Sequence, residues 1–203
     1  MMVCILPKIP IIWYNTGVRI LIAGSSGGIG SAVAEAARAA GNVVVEWNRT
    51  DFEGRGELPE GPYDAMVFAV GVCPVAPLST LLEESFAETM RVNCWLFVGL
   101  VQEIVRRRLY AADGMKVVAV SSVSANEGWA GGAAYCASKG ALSAVCRAMD
   151  AELSPRGISV SAVEPRYVRT RMFRNCAGRM GVPESEAMDP RILAEEILKG
   201  VKK

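Results

Sequence analysis

The sequence predicts an α/β fold: one three-layer domain whose parallel, doubly wound sheet is covered on both faces by helices. Three observations carry this expectation. Short apolar runs alternate with helical stretches from residue 18 to residue 199, a pattern that calls for parallel strands joined by crossover helices. A glycine cluster, Gly24-Ser25-Ser26-Gly27-Gly28-Ile29-Gly30, follows the first apolar run directly. Apolar residues make up 51% of the 203-residue chain, enough to fill a single core.

Residues 18–23 form the first apolar run, and the glycine cluster after it reads as the turn from strand to helix. Residues 31–40 are mostly alanine, a strong helix former, and Gly41 stands where a left-handed helix stop belongs. A second strand is expected at 43–47, a polar loop at 48–63 and a third strand at 65–70. Ser85-Phe86-Ala87-Glu88 has the form of a capping box, which predicts a helix from Ser85 to about Tyr110. Strands at 116–121 and 158–163 flank a helix at 133–153, and a last helix is expected at 190–199. Residues 1–17 are read as an N-terminal extension to a domain spanning 18–203. That apolar segment is interrupted by Pro7, Lys8 and Pro10, is too short to span a bilayer and has no secretory cleavage pattern.

Composition removes several function classes. With 22 basic and 21 acidic residues the chain has no overall field to gather nucleic acid or an anionic membrane. Six cysteines are scattered without a C-x-x-C pair, which fits thiols in a reducing cytoplasm. There is no histidine, so Ser-His-Asp triads, Cys-His nucleophiles and imidazole-bound zinc are excluded, and no metal site is expected. The expected partner is a small molecule.

Two patterns carry chemistry. Gly24-x-x-x-Gly28-x-Gly30 lies between a strand and a helix, where backbone N–H groups and the helix dipole can receive a pyrophosphate. Tyr135 and Lys139 are four residues apart near the start of the 133–153 helix, so they share a face. They follow Ser121-Ser122 at a strand's C-terminal end, the edge where ligands bind in open α/β sheets. An ammonium beside the phenol favours the phenolate, and the serine hydroxyl can hold a substrate oxygen while Tyr135 gives or takes its proton.

Taken in order, these motifs resemble the short-chain dehydrogenase/reductase family, from about Val18 to Thr170. Gly24, Gly28 and Gly30 match its G-x-x-x-G-x-G turn, Tyr135 to Lys139 match its Y-x-x-x-K, and Ser122 stands thirteen residues before the tyrosine. The resemblance implies a Rossmann-type domain that transfers hydride between a nicotinamide cofactor and a carbonyl or alcohol. It also implies a catalytic set of Ser122, Tyr135, Lys139 and Asn93, the last helping to hold a water for a proton relay. Cofactor contacts would come from Gly24, Ser26, Gly28, Ile29, Gly30 and Gly71, from Tyr135 and Lys139, and from Pro165, Val168 and Thr170 of a P-G-x-V-x-T segment. On the family pattern Asn48 and Arg49 occupy the positions that meet the adenosine ribose. Neither repels a 2′-phosphate, so NADP(H) is favoured and NAD(H) stays possible through Glu46.

Some positions depart from the pattern. Ala69 stands for an asparagine, Arg166 replaces the glycine after Pro165, and the link from 49 to 64 is too short for a further strand and helix, so the sheet is expected to be trimmed at one or both edges. Residues 171–189, the substrate lid by the same resemblance, carry Arg171, Arg174 and Arg179. The resemblance further implies a homodimer or tetramer. Two alternatives remain open: a regulatory protein that binds the dinucleotide without turnover, and a sugar-nucleotide epimerase, which normally needs a larger C-terminal domain.

Overall fold

Five strands lie in one parallel sheet in the order β2-β1-β3-β4-β5. The structure, a computed structural model, describes residues 17–48, 51 and 57–198, with the side chains of 177–180 left out. Its strands are β1 (Arg19–Ala23), β2 (Val43–Trp47), β3 (Ala65–Phe68), β4 (Met115–Val120) and β5 (Ile158–Val163). Its helices are α1 (Gly28–Ala39), α2 (Glu83–Met90), α3 (Leu96–Arg107), α4 (Ala133–Leu153), α5 (Arg171–Met180) and α6 (Pro190–Leu198). β1 pairs with β2 on one side and β3 on the other, so the order turns at β1 and opens a crevice at the strands' C-terminal ends. Among the described residues the sheet ends at β2 and at β5, trimmed on both sides.

Alternation along β1 divides the core. Ile20 and Ile22 face one way and pack with Val33, Ala37, Leu193 and Ile197 of α1 and α6. Leu21 and Ala23 face the other way, toward Phe97 and Leu100 of α3 and Leu142 and Cys146 of α4. Period-two side chains on a sheet covered on both faces produce this split. No described helix is long and apolar enough to cross a membrane.

Several expected boundaries shift: β3 ends at Phe68 rather than residue 70, and β4 spans Met115–Val120 rather than 116–121. α2 begins at Glu83 rather than Ser85, with Leu82 at its N-cap and no side-chain cap. Glu83 and Glu84 sit in its first turn and complement the helix dipole, while Glu88, the far end of the expected capping box, pairs with Arg91 at 2.6 Å. The helix expected to reach Tyr110 is interrupted by a π-helical turn, Arg91–Trp95, and stops at Arg107. Arg108 then takes the left-handed conformation at φ 54°. Gly41 is left-handed as expected, at φ 79°.

Candidate active site

The glycine turn joins β1 to α1 and is shaped by the room it lacks. Gly24 adopts φ +87°, and a Cβ on Gly30 would stand 2.0 Å from the Gly24 carbonyl oxygen. At Gly28 a Cβ would meet the Thr170 methyl at 2.7 Å, so the turn also needs glycine to lie against the 165–170 segment. Gly27 caps α1 without a side chain, which leaves the first N–H groups of that helix open to an anion.

The turn is tied to the end of β2. Gly24 N–H donates to the Trp47 carbonyl at 2.9 Å, and Asn48 Oδ1 accepts from the Ser26 N–H at 2.9 Å. Ser25 donates its hydroxyl proton to Glu46 at 2.7 Å and accepts from Asn48 Nδ2 at 2.9 Å. Glu46 also pairs with Arg38. Ser25 and Arg38 together hold the Glu46 carboxyl below its usual range, so this acid already has partners within the protein. Asp51 accepts from the Asn48 N–H at 2.6 Å. Arg49 lies outside the described residues.

The candidate catalytic residues meet where β4 ends and α4 begins. Ser122 leaves β4 extended, accepts from the Ser124 N–H at 3.1 Å and lines the same pocket as Tyr135. Lys139, one helical turn beyond Tyr135, is buried, and its Nζ donates to the Val120 carbonyl at 2.8 Å and lies 5.7 Å from the Tyr135 ring centre. Burial pushes the Tyr135 phenol above its ordinary range, with Ser122 pulling the other way, and it lowers Lys139 to about 8. Desolvation sets the direction at Tyr135, while the Lys139 ammonium is turned toward a backbone carbonyl. A protonated tyrosine is suited to donating a proton.

Asn93 is fully buried in the π-helical turn. Its Oδ1 accepts from the Val72 N–H at 2.8 Å, and its Nδ2 donates to the Val72 carbonyl and to Ser138 Oγ, each at 2.9 Å. These bonds fix the loop after β3 against α4. Gly71 lies between them, where a Cβ would approach Asn93 Oδ1 at 3.4 Å and Lys139 Nζ at 3.6 Å.

One pocket brings Ile29, Gly71, Pro165, Val168 and Thr170 together with Ser122, Tyr135 and Lys139. Gly24 and Ser26 line an adjoining pocket with Gly71. The residues present therefore fit an extended dinucleotide: a glycine cradle that a Cβ would fill, an uncapped helix N-terminus, and an apolar slot leading to the tyrosine. Sequence reasoning missed the outer walls of the pocket, Trp129, Tyr167, Met172 and Phe173. Aromatic and apolar residues flanking Arg166 and the lid arginines were the available signal. Arg166 lines the same pocket, and Glu127 holds its guanidinium through contacts of 2.6 and 3.0 Å.

Comparison with known proteins follows the same line. Residues 55–180 match the family model described as short chain dehydrogenase. The chain belongs to the short chain dehydrogenase family. It is 31% identical over 182 residues to the L-xylulose reductase of Bos taurus, covering 77% of this chain and 74% of that protein. It is 28% identical to a protein of Sus scrofa named carbonyl reductase (NADPH) 2, over 79% of this chain and 75% of the relative. Among solved structures, a short chain dehydrogenase of Shigella flexneri 2a in complex with NADP superposes with a TM-score of 0.76 at 19% identity, covering 94% of this chain and 93% of that one. Membership in this family of oxidoreductases excludes the epimerase reading and sets the non-catalytic one aside.

Proposed function

We propose that this short chain dehydrogenase reduces a carbonyl compound, or oxidises the corresponding alcohol, with NADP(H) as cofactor and Ser122, Tyr135 and Lys139 as its reacting groups. The carrying observation is the one pocket that Ser122, Tyr135 and Lys139 line together, with Lys139 buried and its Nζ 5.7 Å from the Tyr135 ring centre. NADP(H), when bound, supplies or accepts the hydride. Ser122 Oγ holds the carbonyl oxygen of the substrate, and the Tyr135 hydroxyl donates its proton to that oxygen as negative charge develops there. In the reverse direction Tyr135 takes the proton back. Lys139 returns a proton to Tyr135 and, on the family pattern, contacts the ribose beside the nicotinamide. Thr170, Val168, Pro165 and Ile29 form the slot that orients the ring, and the apolar walls exclude water from the reacting carbon.

At the other end, Gly24, Ser26, Gly28 and Gly30 receive the pyrophosphate at the α1 N-terminus. On the family pattern Asn48 and Arg49 hold the positions that meet the adenosine ribose, and because Glu46 is engaged by Arg38 and Ser25 its charge opposes a 2′-phosphate less than a free carboxylate would. This supports NADP(H) over NAD(H). A homodimer or tetramer in the cytoplasm belongs to the same reading, supported by Leu82 and Trp95, large apolar side chains 65% and 64% exposed near α2.

Tyr135→Phe tests the mechanism, since it keeps the ring and removes the proton. Turnover of acetophenone with NADPH should fall by a factor of roughly 10² or more, while NADPH affinity, read by fluorescence titration, stays nearly constant. Near wild-type turnover in the variant would overturn the assignment.

A further inference from the structure

We infer that the substrate is an uncharged carbonyl compound with a flat apolar body, and that the walls of the pocket select against polyhydroxylated sugars. The inference rests on the reading above of Ser122 and Tyr135 as the reacting end, and concerns what surrounds them.

On one side stands Trp129, its ring centre 6.4 Å from that of Tyr135 and tilted by 54°. Its position is set by Gly132, where a Cβ would come within 2.4 Å of the indole, so the ring lies against bare backbone. On the other side α5 turns Met172, Phe173 and Cys176 inward, at helical spacing. Phe173 packs on Tyr167 with ring centres 5.8 Å apart. Two aromatic walls face one slot, a geometry that favours a flat ligand.

The polar atoms of these walls already have partners. Trp129 Nε1 donates to Ser124 Oγ at 3.2 Å. Cys176 Sγ donates to the Cys73 carbonyl at 3.5 Å. Arg166 is held by Glu127 at 2.6 Å and 3.0 Å and lies 5.9 Å from the Tyr167 ring centre. Of the lid arginines, Arg171 and Arg174 are exposed, and Arg174 pairs with Glu184 at 3.7 Å. The indole and thiol of these walls are thus already engaged, and the hydroxyls of Ser122 and Tyr135 are the ones the carbonyl itself uses. Hydroxyls of a sugar laid against the Trp129, Met172 and Phe173 walls would leave water without a matching partner there.

The experiment measures NADPH consumption with acetophenone and with a ketopentose, alongside calorimetric binding of each to the NADP⁺-loaded protein. Acetophenone is expected to exceed the ketopentose in kcat/KM by a factor of roughly 10² or more, the usual scale for unmatched hydroxyls. Trp129→Ala should lower acetophenone kcat/KM about tenfold, chiefly through KM, with NADPH affinity unchanged; Gly132→Ala, which displaces the same ring, should do likewise. Equal or better use of the ketopentose would overturn the inference and leave the catalytic reading standing. Calorimetric binding of acetophenone without turnover of either compound would do the reverse, upholding the pocket and sinking the catalytic assignment. Absence of acetophenone binding overturns the inference outright.

Discussion

The glycine turn and the Ser122–Tyr135–Lys139 centre sit at the C-terminal ends of β1 and β4, one strand apart in the sheet, and they are built on opposite principles. The turn works because side chains are missing: Gly24, Gly28 and Gly30 stand where a Cβ would strike backbone or Thr170. At the centre, function depends on side chains that burial disfavours. Lys139 is inside the protein with its proton affinity lowered to about 8, and the Tyr135 phenol is held protonated by desolvation. Addition should therefore harm the turn, while apolar replacement at the centre should stabilise the fold as it destroys the chemistry.

Gly30→Ala is the sharpest way to break this comparison. Its Cβ would overlap the Gly24 carbonyl oxygen at 2.0 Å, and since that atom is backbone the chain must move. A loss of about 3 kcal/mol or more is expected, with NADPH binding lost as the α1 N-terminus shifts. Urea denaturation gives the first quantity. Wild-type stability in the variant would show that the turn is not close-packed.

Lys139→Met tests the other half. The folded-state value of about 8 lies below the ordinary 10.5, so the unfolded chain binds the extra proton between those limits. The burial penalty is fully present below pH 8 and disappears as pH rises through 10.5, which makes the wild type more stable with pH across that window. The variant should thus be the more stable at pH 7, by about 1 to 3 kcal/mol. Loss of the Nζ bond to the Val120 carbonyl (2.8 Å) keeps the gain toward the lower figure. The advantage should narrow toward pH 10.5 while turnover is lost. A stability gap that ignores pH would mean that the ammonium is not desolvated.

What was legible in the sequence divides along similar lines. Strands β2 and β5 coincide with their expected spans because β-branched runs at 43–47 and 158–163 are bounded by polar or glycine residues. Helix α4 was legible to the residue, and with it the shared face of Tyr135 and Lys139, since an i, i+4 relation needs no tertiary information. The commitment of Asn93 was hidden, because Val72 and Ser138 reach it across 21 and 45 residues. Trp129 and Phe173 were hidden for the same reason: a wall exists only once the lid helix is folded over the β4 loop. The capping box at Ser85 misled because the pattern fits, but the acidic residues at 83 and 84 allow the helix to start earlier.

The smallest expected effect lies at the mouth of the pocket, where neither principle dominates. Arg166 and Glu127 are 44% and 48% exposed, so water screens their attraction and Glu127→Ala should change stability by no more than about 1 kcal/mol. Its consequence for the substrate is larger than its consequence for the fold. Without Glu127 the Arg166 guanidinium at the edge of the pocket loses its bidentate partner and offers a forked pair of donors to any carboxylate that enters. Reduction of benzoylformate, an aryl ketone bearing a carboxylate, should then rise several-fold in kcat/KM relative to acetophenone, with acetophenone itself little changed. Added salt should diminish the difference, because the new attraction is partly exposed. If benzoylformate gains nothing, Arg166 does not face the substrate, and selection by the pocket rests on its aromatic walls without help from the ion pair.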